Sequence, residues 1–124
     1  MKTGLLMFAH GARDPRWAEP FDEVVRRVRA RAPALAVRLA FLELMAPTLR
    51  EAGDALAGSG CTRVDVVPLF LGAGGHVRND LPALLAQLRE QHPQVHWQLQ
   101  RTIGEADGVI DAIAAAALAS AHDA

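Results

Sequence analysis

A single cysteine among 124 residues removes one large class of folds at once: Cys61 can form no internal disulfide and belongs to no C-x-x-C pattern. The chain is therefore not a disulfide-stapled scaffold, and a reduced compartment suits it. Long apolar runs are missing too, since none reaches the roughly 18 to 20 residues of a membrane helix. The opening MKTGLLMFAHGARD has only a short apolar stretch, which ends in His-Gly-Ala-Arg where a signal peptide would have small residues, so a cytoplasmic location with no membrane partner is expected. Net charge is almost absent, at −1 from 13 basic and 14 acidic residues. That gives no footprint for nucleic acid, and an anionic ligand must be recognised locally. No repeat, linker or low-complexity segment divides the chain, and its length suits one packed domain, so residues 1–124 are read as a single domain.

What is present is an alternation of short apolar runs with longer amphipathic segments, within a composition that is 51% hydrophobic and 22% charged. Gly and Pro mark the changes, and the pattern reads as four strand–helix units. Strands are predicted over residues 4–9, 37–42, 64–71 and 95–99. Continuous apolarity in the third suggests burial on both faces, and alternation with His96, Gln98 and Gln100 makes the fourth an edge. The first helix is expected from Asp14 and Pro15 to Arg31, and the second opens at Pro47. The third is expected to begin at Asn79 or Asp80 and to run to Gln91, and the last covers 106–119. Such alternation predicts a three-layer α/β sandwich of flavodoxin-like topology, its parallel sheet in the order 2-1-3-4 and covered on both sides by right-handed crossovers.

This order brings every chemically unusual loop to the C-terminal edge of the sheet. His10, followed by Gly11 and Arg13, stands just past strand one; His76 stands past strand three, after Gly72, Gly74 and Gly75 and before Arg78; Glu43 follows strand two, and Gly104 strand four. Two neutral imidazoles flanking the switch point suit a borderline divalent metal, and each Arg can pair with a carboxylate or phosphate. A lone loop histidine more often bonds only backbone, but the neighbouring glycine and the second histidine loop favour a joint site. Apolar neighbours around Glu43 predict desolvation, which would suit it to proton transfer; a carboxylate leading a helix is the competing reading. The glycines of 72–75 could also cradle phosphate with φ > 0 backbone, yet neither G-x-x-x-x-G-K-[ST] nor G-x-G-x-x-G is present. His92, His96 and His122 read as surface residues, Cys61 and Trp97 as packing, and the arginines 26, 27, 29 and 31 as a solvated helix face.

Four segments carry a resemblance: LLMFAHGARDP, AFLELMAPTL, VVPLFLGAGGHVRNDLP and IGEAD, in this order and spacing over nearly the whole chain. Together they resemble the short-form sirohydrochlorin chelatases, the CbiX-type members of the class II chelatase superfamily. One departure is Ala12, where many relatives have Ser. The resemblance implies a chelatase-like fold and a lyase that inserts Fe2+ or Co2+, or Ni2+ in some archaeal relatives, into sirohydrochlorin for sirohaem or cobalamin biosynthesis. It implies that His10 and His76 bind the metal and, with Glu43, take up protons. Arg13, Arg78, Gly74 and Gly75 would meet the substrate. The metal is then a co-substrate and no permanently bound cofactor is implied. Long-form relatives look like two such units fused around a cleft, which implies a homodimer for a short chain. A non-catalytic metal- or tetrapyrrole-binding protein of the same fold is the alternative.

Overall fold

A computed structural model describes residues 1–72 and 74–121, with the side chains of 75–79 outside that description. Four strands, β1 (Lys2–Ala9), β2 (Ala36–Phe41), β3 (Cys61–Pro68) and β4 (His96–Leu99), alternate with helices α1 (Glu19–Arg31), α2 (Leu49–Gly58), α3 (Gly75–Gln91) and α4 (Asp107–Ser120). All neighbouring strands are parallel and the sheet order is β2-β1-β3-β4, as the alternation predicted. β1 pairs with β2 from Gly4 opposite Ala36 to Ala9 opposite Phe41. On its other side it pairs with β3, with Phe8 opposite Pro68.

The two faces of the sheet are filled unequally. Leu6, Phe8, Val64, Val66 and Trp97 point to one side and are buried there with Leu56 of α2 and Leu85 and Leu88 of α3. Each such side chain contributes about 1.5–3 kcal/mol by leaving water, so this layer is the main core. Helices α2 and α3 approach closely because Gly53 has no side chain; a Cβ there would lie 2.6 Å from Leu88 Cδ2. The opposite face carries only α1, against which Met7, Val25 and Val37 are buried. A second small cluster there joins Ala9, Ala18 and Phe41 to Trp17 and Phe21.

Handedness explains the inequality. The step from β1 to β2 runs one way across the sheet and the steps to β3 and β4 run the other way, so right-handed crossovers put α1 on one face and α2 and α3 on the other. Only α4 is left to cover the β3 side of the α1 face, and none of its residues is buried. Helices therefore lie on both sides of the sheet, as predicted, but α4 leaves the β3 half of the α1 face largely open. Burial of β3 on both faces fails for this reason: Val64, Val66 and Pro68 are buried, whereas Arg63, Asp65 and Val67 are only half-buried.

Several predicted boundaries move, each for a local reason. The first helix is split, with a 3-10 turn over Pro15–Ala18 before α1. Pro20 has no N–H to return to the Arg16 carbonyl, which Glu19 N–H takes in the tighter pattern. Asp14 is the cap, as read. Pro47 does not open α2: Thr48 caps it in a capping box, its hydroxyl accepting from Glu51 N–H at 3.1 Å while Glu51 Oε1 accepts from Thr48 N–H at 2.9 Å. β3 ends at Pro68 rather than residue 71, because Leu69 makes one last bond to Phe8 O and Leu71 is already exposed. α3 begins at Gly75, not at Asn79 or Asp80, with Gly74 as its extended cap. Position 76 thus belongs to the first helical turn. Smaller shifts move β2 to Ala36–Phe41, β4 to His96–Leu99 and α4 to Asp107–Ser120.

Candidate active site at the sheet edge

The pairing of β1 and β2 continues past the ends of both strands, and this continuation builds the site. Leu42 N–H bonds Ala9 O at 2.9 Å and Glu43 N–H bonds His10 O at 3.1 Å. Residues 10 and 43 are thereby held side by side on the C-terminal edge. Gly11 then turns away at φ +98°, a left-handed conformation in which an added Cβ would overlap the Glu43 carbonyl oxygen. Its lack of a side chain is therefore a requirement of this close approach and not merely flexibility. Leu44, next in the second loop, is held at φ +65° with its side chain exposed. A bulky residue there stores local strain, of the kind found where surroundings fix a loop for function.

At the centre, His10 Nε2 lies 3.1 Å from Glu43 Oε1, with the two side chains 51% and 55% exposed. An ionised carboxylate only accepts, so Nε2 is the donor and Nδ1 keeps a lone pair. That atom can ligate a metal or accept a proton, while Glu43 orients the ring. The predicted desolvation of Glu43 is not found. The loop lifts it clear of the core, so its chemistry comes from its partner and not from burial.

Around this pair, Arg13 is exposed and has no ion-pair partner among the described residues. Asp14 is occupied elsewhere: it accepts from Arg16 N–H at 2.9 Å and from the Arg16 guanidinium at 2.9 Å. The Arg16 guanidinium, then its backbone N–H, hold the Asp14 carboxyl below the usual carboxylate range, and Asp14 in turn raises Arg16. This local neutralisation leaves Arg13 as the exposed, unpaired cation of the turn.

The side chains of His76 and Arg78 lie outside the described residues. What the backbone fixes is their element: both positions fall in the first turns of α3, after the strand that neighbours β1. Gly74 is exposed, with extended backbone at φ −70° and open space where a Cβ would go. The left-handed backbone expected of this stretch is therefore absent at Gly74, and the residue acts as a helix cap. Among the described residues no cluster of three or more His, Cys, Asp or Glu could hold a metal. Gly104 does reach the same edge, where its N–H bonds Phe70 O at 2.9 Å and a Cβ would overlap Leu71 backbone.

Residues set aside on sequence grounds mostly stay aside. Cys61 and Trp97 are buried packing residues, and His96 is exposed. Arg26 and Arg27 pair with Glu23 on the solvent side of α1, while Arg29 reaches Val37 O at 2.8 Å. His92 is the exception among the surface readings, because its Nε2 sits 2.7 Å from Asp54 Oδ1 and ties the end of α3 to α2. His122 lies outside the described residues. The clamp made by Gly11 was the feature missed from sequence, and its signal was the glycine immediately after His10.

Comparisons with known proteins agree with this fold. The CbiX family model matches residues 4–119. A sirohydrochlorin cobaltochelatase from Methanosarcina acetivorans is 34% identical over 85 residues, which make up 68% of this chain and 65% of that protein. The chain thus spans just under two thirds of the length of that curated relative. A crystal structure of a CbiX protein from Marinobacter aquaeolei VT8 superposes with a TM-score of 0.83 at 31% identity, over 95% of this chain and 96% of the other. The sirohydrochlorin chelatase SirB from Bacillus subtilis subspecies spizizenii, solved in complex with cobalt, gives a TM-score of 0.83 at 26% identity. It is matched over 96% of this chain but only 51% of its own. SirB from Bacillus subtilis has also been solved with Fe3+, with a TM-score of 0.80.

Proposed function

This chain belongs to the CbiX family, and we propose that it is a sirohydrochlorin chelatase, a lyase that inserts Fe2+ or Co2+ into the tetrapyrrole for sirohaem or cobalamin. The observation that carries the reading is the His10–Glu43 pair, held open to solvent at the sheet edge by a turn that only glycine allows. Relatives named for cobalt or for iron, and SirB structures holding cobalt or Fe3+, support the choice of metals. The metal is a substrate, and no resident cofactor is called for.

The chemistry asks for two tasks at one place. As M2+ enters the macrocycle, two pyrrole N–H bonds break and two protons leave, so a ligand for the ion and acceptors for the protons must face the same nitrogens. His10 offers the lone pair of Nδ1, and His76 is assigned the second ligand and base. Glu43 fixes the His10 ring and stabilises the imidazolium once a proton arrives. A weak, exposed ligand set suits a cargo ion, which must be released into the ring and not retained. Arg13 and Arg78 would pair with the peripheral carboxylates, and Gly74, which is exposed, together with Gly75 would let the macrocycle approach α3 closely.

One edge of one sheet covers only one side of a flat macrocycle. We infer that two copies face each other as a homodimer, so that two edges enclose the substrate; the match of this chain to about half of SirB supports such a count. The test is the absorbance change of sirohydrochlorin with anaerobic Fe2+ or Co2+. Accelerated insertion that falls in both His10→Ala and His76→Ala is expected. Wild-type rates in both variants would remove the proposed site, and tight binding without acceleration would make the protein a carrier.

A further inference from the structure

Among the described residues, most exposed large apolar side chains have a place in the fold that accounts for them. Met1 is the terminus, and Val24 and Leu71 line an apolar groove of about 570 Å3 on the half-covered face of the sheet. Ile110, Ile113 and Leu118 belong to α4, none of whose residues is buried. Leu44 has no such account. It is 59% exposed and stands at the C-terminal edge of the sheet, one residue past Glu43.

The backbone makes this placement costly. Between β2 and α2 the chain crosses the sheet edge from one face to the other: Leu42 packs against the main core, and Met45 against the Ala9, Ala18 and Phe41 cluster on the α1 face. The segment is pinned at both ends, where Glu43 N–H bonds His10 O and Phe41 N–H bonds Pro47 O. Leu44 sits in the crossing at φ +65°, a conformation that suits glycine or asparagine and strains a leucine. A fold that needed only the turn would be better served by Gly or Asn, and a fold that needed the leucine would bury it. An exposed leucine held under strain beside the His10–Glu43 pair points to a contact outside the folded chain.

We propose that Leu44 contacts the substrate, packing against the flat face of the tetrapyrrole while the centre of the macrocycle lies over His10. This rests on the chelatase reading and deepens it by naming an apolar contact. Metal and protons pass through the centre of the ring, so its nitrogens must face His10 Nδ1. The loop after β2 runs about one strand spacing, ~4.8 Å, from the His10 loop, a displacement smaller than the radius of the macrocycle. Leu44 therefore falls beneath a pyrrole ring. The rim of the substrate carries carboxylates, which arginines suit, but its faces are apolar and gain by leaving water against a side chain such as leucine. Because the pinned backbone already holds Leu44 outward, the contact costs little further ordering.

Anaerobic titration with metal-free sirohydrochlorin, followed by its fluorescence, reads the contact apart from the insertion step. Leu44→Asn tolerates the positive φ and removes the apolar surface, and should weaken binding about 5–20-fold. Leu44→Gly should do the same, and both variants should unfold at the same denaturant concentration as wild type or a higher one. Leu44→Met keeps the apolar reach and should bind within about twofold of wild type. The deficit of Leu44→Asn should persist at high salt, which weakens contacts to carboxylates and not to the ring face. Asn and Gly variants that bind as tightly as wild type overturn the proposal. So does a loss of stability in both, because the leucine would then serve the fold, and so does a change in mass by light scattering, which would make it a contact between copies. A wild type that neither binds sirohydrochlorin nor inserts a metal removes the chelatase reading itself, whereas unaltered variants of an active wild type remove only the role of Leu44.

Discussion

Two histidine–carboxylate pairs of nearly the same geometry stand at opposite ends of this molecule. His10 and Glu43 meet at 3.1 Å where β1 and β2 end, and His92 and Asp54 meet at 2.7 Å where α3 ends against α2. The second pair is the shorter and its imidazole is the more buried, at 22% exposed against 51%. It nevertheless has the marks of a structural tie: it joins two packed helices, and its ring faces Trp97 at 6.1 Å. The first pair joins two loops that are already joined by backbone bonds, so its side chains are not needed to hold the fold. What distinguishes the proposed reactive pair is a position that the backbone supports and the packing does not use.

Mutation can break that contrast. His10→Ala should lower the rate of metal insertion by about 10^2–10^4-fold, the usual size of a lost ligand and base. Its melting temperature should stay within about 2 °C of wild type, and a collapse of stability would mean the two pairs are alike. Gly11→Ala should cost about 2–4 kcal/mol in denaturant unfolding, because the Cβ meets fixed backbone at positive φ, and should depress insertion as Glu43 is pushed away. Glu43→Gln keeps a hydrogen bond but loses the charge, so a fall of about 10–100-fold in rate is expected with unchanged stability. Asp54→Ala is the smallest, about 0.5–1 kcal/mol of stability for a partly exposed ion pair, with insertion unaffected. If instead Asp54→Ala slowed insertion, the tie between α2 and α3 would have a functional reach that its distance from the edge does not suggest.

Legibility varied with the kind of residue. The strand order and the gathering of His10, Glu43 and Gly104 on one edge could be read from alternation and handedness alone, since these rules depend only on which segments are strands. The exposure of Glu43 could not, because its apolar neighbours Leu42 and Leu44 suggested burial. Leu42 is half-buried, but Leu44 turns outward at a positive φ. The start of α3 was misjudged for a related reason. A run of glycines reads as loop, yet a glycine cap lets a helix begin at once.

The amino-acid sequence by itself determined the number and type of elements, the sheet order, the histidine edge and the family. Each of these follows from periodicity, chain direction or local motif. Tertiary structure alone decided that Gly11 clamps the two loops, that His92 is a tie between helices, and that α4 leaves an apolar groove open on one face of the sheet. Those facts depend on contacts between residues distant in the chain, where the presence or absence of a single Cβ decides how closely two backbones can meet.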